Sequence, residues 1–126
     1  MNVLIVEDNK PVGLVLARVV RELGLGALMA SDGDSALRMY RQRDVHLILM
    51  DIQLPSLDGF SVTREIRNLA GPTLPVILIS GNSGDAWQQQ ALDAGANEFL
   101  EKPIRPGELS ALLRRYLPLA AQDTDS

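Results

Sequence analysis

Five polar residues stand at the ends of short apolar runs. Glu7 and Asp8 follow Val3-Leu4-Ile5-Val6, Asp51 follows Val45 to Met50, Ser80 follows Pro75 to Ile79, and Lys102 comes just after Glu98-Phe99-Leu100. Gathered around one point, they would combine three carboxylates, a hydroxyl and an ammonium group. Two like charges ~4 Å apart repel by about 4 kcal/mol at an effective dielectric of about 20. One lysine does not neutralise three acids, so the set calls for a hard divalent cation with oxygen ligands, Mg²⁺ or Mn²⁺. A cation, a carboxylate, a hydroxyl and an ammonium group suit phosphoryl transfer. The carboxylate acts as nucleophile and becomes an aspartyl phosphate. Cation and lysine then offset charge on the equatorial oxygens while the hydroxyl donates to one of them. Each residue alone has a plainer reading as a helix cap, a turn residue or a surface group. Their joint placement after successive apolar runs is what points to chemistry.

The elements that must position them follow from the apolar pattern. The runs Val3–Val6, Ala27–Ala30, Val45–Met50, Pro75–Ile79 and Glu98–Leu100 read as strands, and the first and, apart from His46, the third are apolar rather than alternating, as strands covered on both faces are. Between them lie helix-period stretches. Val12, Val15, Leu16, Val19, Val20 and Leu23 form one helical face, with Asn9 as N-cap, Pro11 in the first turn and Gly24 at the end. Asp32-Gly33 turns into a helix carrying Ala36, Leu37 and Tyr40. A third helix runs from Leu57 or Gly59 to Leu69, a fourth from Gly84 to Ala94, and a fifth begins after Pro103 and ends at Pro118. Five βα units predict an α/β fold, a flavodoxin-like doubly wound parallel sheet in the order 2-1-3-4-5. Ligands of such sheets sit at the carboxyl ends of the strands beside the switch point, here strands 1 and 3.

Composition narrows the class. The chain has 126 residues, 46% hydrophobic and 22% charged, the balance of one soluble domain. Residues 1–118 are expected to form it, with 119–126 a flexible tail. The absence of cysteine excludes a disulfide framework, a thiolate zinc site and a cysteine nucleophile. Twelve Lys and Arg against sixteen Asp and Glu give a net charge of −4, which argues against direct nucleic-acid binding. The apolar runs fall short of the ~18 residues a membrane span needs, and the start lacks the shape of a signal peptide. A cytoplasmic location without membrane insertion is expected.

At this point the sequence resembles the receiver domain of two-component response regulators over about residues 2–117. The stretches that carry the resemblance are Val3 to Asn9, Ala30-Ser31-Asp32-Gly33, Leu49 to Gly59, and Glu101-Lys102-Pro103. The resemblance implies that Asp51 accepts a phosphoryl group from a histidine kinase or a histidine phosphotransfer protein. It implies that Glu7, Asp8, Asp51 and the backbone carbonyl of Gln53 hold Mg²⁺, and it assigns Ser80 and Lys102 to the phosphoryl oxygens. Phe99 occupies the aromatic switch position. Glu7 stands where many receivers have a second Asp, a longer arm that still reaches the metal through water. Phe99 replaces the commoner Tyr, so a switch there works by packing alone. Gln53 and Asn82 flank the approach path of attacking water.

Other readings fit less well. An aspartate-nucleophile phosphatase of the haloacid-dehalogenase type wants a second Asp two residues after the first, where Gln53 stands, and acids after the lysine, where Pro103-Ile104-Arg105 stands. Gly24-Leu25-Gly26 precedes a strand, the reverse of a dinucleotide-binding turn. Gly81-Asn82-Ser83-Gly84 lacks the lysine of a P-loop. A pseudo-receiver that only binds is at odds with five intact site residues. The one histidine, His46, reads as structural or surface. Nine residues follow Leu117, so output is expected through a downstream protein target in trans, or through a phosphorylation-dependent dimer. A receiver excised from a hybrid sensor histidine kinase fits equally. The expected output face is helix 4, strand 5 and helix 5, with Trp87 near it. The competing reading keeps Phe99 as fixed core and docks the partner on helix 1.

Overall fold

The computed structural model describes residues 1–55, 57–81 and 84–118. The tail expected at 119–126, and Asn82 and Ser83, lie outside the described residues. Among those described, the chain alternates β1 (Asn2–Val6), α1 (Lys10–Glu22), β2 (Gly26–Ala30), α2 (Gly33–Gln42), β3 (Leu47–Asp51), α3 (Gly59–Ala70), β4 (Val76–Ser80), α4 (Asp85–Ala94), β5 (Glu98–Glu101) and α5 (Pro106–Tyr116). All strand pairs are parallel and the order is β2-β1-β3-β4-β5, as the βα alternation predicts. No helix among the described residues is long and apolar enough to cross a membrane.

The continuous apolar runs are explained by two cores, one on each face of the sheet. Val3, Ile5, Leu47, Leu49, Ile77 and Ile79 point to α1 and α5, where Leu16, Val20, Leu109 and Leu113 meet them. The alternate residues Leu4, Val6, Ile48, Met50, Val76 and Leu78 point to α2, α3 and α4. Strand side chains alternate faces, so β1, β3 and β4 are apolar on both faces between Asn2 at the start of β1 and the polar residues Asp51 and Ser80 that end β3 and β4. Each fully buried Leu or Ile contributes roughly 2 kcal/mol relative to exposure.

Two details differ from the sequence expectation. Val15 was expected on the buried face of α1 but is 48% exposed, and Leu14 beside it is 64% exposed. The inner face of α1 runs instead through Gly13, Leu16, Ala17, Val19 and Val20. Gly13 and Ala17 are small, so the helix lies close to the sheet; a Cβ at Gly13 would stand 3.0 Å from Met29 Cε. That close approach rolls Val15 to the rim. β3 also begins at Leu47, not Val45. His46 joins the start of the sheet through its edge groups: its amide donates to the Asn2 carbonyl (2.9 Å), and its Nδ1 accepts from the Asn2 amide (3.0 Å). It is structural.

Candidate functional site

The polar groups gather where β1, β3, β4 and β5 end. Asn9 caps α1, its Oδ1 accepting from the Val12 amide at 3.1 Å, and its own amide donates to Glu7 Oε2 at 3.2 Å. The turn into α1 therefore fixes the Glu7 carboxylate. Lys102, one residue past β5, bridges the acids: its Nζ lies 3.1 Å from Glu7 Oε1 and 3.3 Å from Asp51 Oδ2. The other Asp51 oxygen, Oδ1, accepts from the Gln53 amide at 3.1 Å. Glu7, Asp51 and Ser80 are buried, and Asp8 is exposed. Ser80 closes β4, and its carbonyl accepts from the Lys102 amide at 2.8 Å, which ties the two strand ends together. The Lys102–Pro103 peptide is cis.

Glu7, Asp8 and Asp51 can each place a carboxylate oxygen within 4.8 Å of the others. That crowding shows in the protonation of Glu7, whose carboxyl is pushed up to about 7 by burial first and by Asp51 second, against the opposing pull of Lys102. Burial acts to lower the Lys102 ammonium, but its bonds and charge pairing with Glu7 and Asp51 outweigh that and raise it. Glu7 Oε1 is buried and has no well-directed hydrogen bond, although the Lys102 ammonium lies at ion-pair distance. The ammonium is the charge partner of this oxygen, since Coulomb attraction tolerates angles that a hydrogen bond does not. Three acids facing one ammonium, with an oxygen lacking a directed donor, fit a hard divalent cation. Glu7, Asp8, Asp51 and Lys102 thus come together, and Ser80 ends the neighbouring strand β4.

Other positions matter that sequence reasoning missed. Gly59 opens α3 directly against the end of β3, its amide donating to the Ile52 carbonyl at 2.8 Å. A Cβ there would overlap the Asp51 carbonyl oxygen and stand 2.7 Å from Ile52 Cα. Glycine is thus required by close approach to the backbone of Asp51. Asp58 caps α3 through the Ser61 amide at 2.9 Å. Neither close approach nor its target leaves a local sequence signal beyond the glycine itself.

Three surfaces border the site. Val12, Val15, Lys102, Pro103 and Ile104 line a groove of about 440 Å³ on the α1 side. Phe99 is half-buried and lines a groove of about 250 Å³ with Gln88 and Leu92 of α4. Trp87, expected near that face, turns the other way. It stacks on Phe60 of α3, ring centroids 5.8 Å apart, and lines a cleft with Ile52, Gln53 and Leu54.

The response regulator receiver domain profile matches residues 3–114. The chain belongs to the response regulator receiver family. Among solved structures, it resembles the receiver domain of the sensor histidine kinase PA1611 from Pseudomonas aeruginosa PAO1, which has a magnesium ion coordinated in its active-site cleft. The two share 37% identity with a TM-score of 0.83, over 91% of this chain and 95% of that one. The NtrX receiver domain from Brucella abortus is 32% identical, with a TM-score of 0.84, over 91% of this receiver and 97% of that one. The sensory transduction protein RegX3 of Mycolicibacterium smegmatis is 31% identical over 99% of this chain and 54% of its own length. The receiver spans about half the length of the curated relatives it matches. Receivers are signalling domains of two-component systems that bind Mg²⁺ at an acidic pocket, and this chain has an acidic cluster of Glu7, Asp8 and Asp51.

Proposed function

We propose that this receiver takes a phosphoryl group on Asp51 from a phosphohistidine of a histidine kinase or histidine phosphotransfer protein. The observation that carries the reading is the position of Asp51: buried at the end of the central strand, between the acidic pair and Lys102. A carboxylate oxygen of Asp51 attacks phosphorus, the new P–O bond forms as the P–N bond breaks, and the imidazole leaves with the electron pair and takes up a proton. Lys102, already 3.3 Å from Asp51, balances charge on the transferring group, and the Ser80 hydroxyl donates to one of its oxygens. Glu7, Asp8, Asp51 and the Gln53 carbonyl would hold Mg²⁺ or Mn²⁺, which supplies positive charge facing the phosphoryl oxygens.

The groove of Val12, Val15, Pro103 and Ile104 adjoins Lys102 and is the surface on which the phosphodonor protein docks. Output runs through protein contacts in trans or a phosphorylation-dependent dimer on the face of α4, β5 and α5, where Phe99 has room to turn. A second setting, a receiver within a hybrid sensor kinase, is favoured by the 37% identity to the PA1611 receiver. Either setting places the domain in the cytoplasm, with no direct contact to nucleic acid. Incubation with a small-molecule phosphodonor and Mg²⁺ is expected to add one phosphoryl group by intact mass, lost in Asp51→Asn. Mg²⁺ is expected to raise the melting midpoint, since it binds the folded arrangement only; an unchanged midpoint would count against the metal site.

A further inference from the structure

α4 is anchored unevenly. Its buried residues are Ala91 and Ala94 among those described, both small, and Gly84 gives its start no side-chain cap. Its end is pinned, because Arg67 of α3 donates to the Gly95 carbonyl through Nε at 3.1 Å and Nη2 at 2.6 Å. The starting half depends on Trp87, half-buried and stacked on Phe60 with ring planes 26° apart. Phe60 follows Gly59 in the first turn of α3, which hangs on the Ile52 carbonyl.

Beside these rings lies an open cleft of about 350 Å³, whose lining includes Ile52, Gln53, Leu54, Phe60 and Trp87. Its wall meets the site at Gln53, whose amide donates to Asp51 Oδ1 at 3.1 Å. We propose that the Phe60–Trp87 ring pair couples this wall to the start of α4, a connection separate from Ser80 and Phe99. The proposal rests on Asp51 being the phosphoacceptor. In an acyl phosphate the remaining Asp51 oxygen is a neutral carbonyl, the negative charge lying on the phosphoryl group, and a hydrogen bond to a neutral acceptor is roughly half as strong as one to an ionised acceptor. The hold of Asp51 on the Gln53 amide is then weakened, and the cleft gives Phe60 and Trp87 space to follow a shift of Gln53. With α4 held at Gly95, movement at Trp87 becomes a swing of its start. Phe99 lies on the opposite flank, beside Gln88 and Leu92, so the two connections reach α4 from different sides. Phe60 and Trp87 are positioning residues; neither touches the reacting atoms.

Trp87 is the one tryptophan of the chain, so its emission reports this place alone. The test compares acrylamide quenching of Trp87 with Mg²⁺ and with Mg²⁺ plus beryllofluoride, while ¹⁹F NMR reports bound beryllofluoride. An about twofold change in the quenching constant is expected in the wild type, as for a two-state equilibrium moved by a bound ligand. The change is expected to persist in Phe99→Ala, to vanish in Phe60→Leu, and to return in Phe60→Tyr, which keeps the ring. Bound beryllofluoride with unchanged quenching in the wild type would overturn the coupling alone, as would loss of the change in Phe99→Ala or its survival in folded Phe60→Leu. Should Phe60→Leu fail to fold by circular dichroism, the wild-type and Phe99→Ala arms decide. Absence of bound beryllofluoride would overturn the Asp51 reading, and the coupling with it.

Discussion

At the edge where β4 and β5 begin, Arg67 spreads its guanidinium over the carbonyls of Gly95, Gly71 and Leu74, with Asn97 Oδ1 completing the set. Asn97 Oδ1 also accepts from the Val76 amide at 2.9 Å. One cation there meets acceptors that are all neutral, and its donors are used. At the opposite edge, Glu7, Asp8 and Asp51 crowd one ammonium, and Glu7 is held well above the ordinary carboxylate range. The first edge is built to stay as it is. The second holds repulsion that a divalent cation can relieve, which is how a site prepares to respond to ligand rather than to add stability.

The largest effect separates the edges by function. Asp51→Asn is expected to abolish phosphoryl uptake measured by intact mass while leaving a folded protein. Arg67→Ala is expected to do the reverse. It strands carbonyls of α3, α4 and the approach to β4, at a cost of about 2 kcal/mol, read as a lower denaturant midpoint with the phosphoryl group still taken up. Loss of uptake in a folded Arg67→Ala protein would break the contrast.

How much of this was legible in the sequence follows the same division. Glu7, Asp8, Asp51, Ser80 and Lys102 each end or follow an apolar run, so strand pattern and residue type together disclosed the edge they share. The cap Asn9 was legible for the same local reason, whereas Asp32 read as a turn and in fact caps α2 through the Ser35 amide at 2.7 Å. Arg67 was not, because its partner Gly95 lies 28 residues away and an arginine on a helix reads as a solvated charge. Trp87 is followed by three glutamines with no apolar period to orient it, so its turn toward α3 leaves no signal in the sequence. Val15 satisfied helical spacing and still fell outside the core, because Gly13 and Ala17 set how closely α1 lies.

A smaller effect sharpens the electrostatic half of the comparison. Glu7→Gln removes one of the three crowded charges while keeping the shape. At about pH 8 without divalent metal, where Glu7 is mostly ionised, the variant is expected to be more stable by about 1 kcal/mol, or about 4 °C in melting midpoint. Added Mg²⁺ is expected to raise its midpoint less than it raises the wild type's. A destabilised Glu7→Gln would mean that the bond to Lys102 outweighs the repulsion.

The smallest effect on stability tests the rim of the reactive edge. Leu14 and Val15 are exposed on α1, and Val15 joins Val12 and Ile104 in the groove beside Lys102. Apolar side chains on a helix flanking a charged site do little for the fold, since water reaches them in the free protein. Val15→Ser is therefore expected to change stability by no more than about 0.5 kcal/mol. Uptake from a small-molecule phosphodonor needs only the site residues and is expected to stay at the wild-type rate. Uptake from a phosphorylated histidine domain needs that domain to bury the groove and is expected to slow about tenfold, the equivalent of about 1.4 kcal/mol of lost contact. The ratio of the two rates isolates docking from chemistry. Equal slowing with both donors would place Val15 in the support of Lys102 instead, and equal wild-type rates would move the donor to another face.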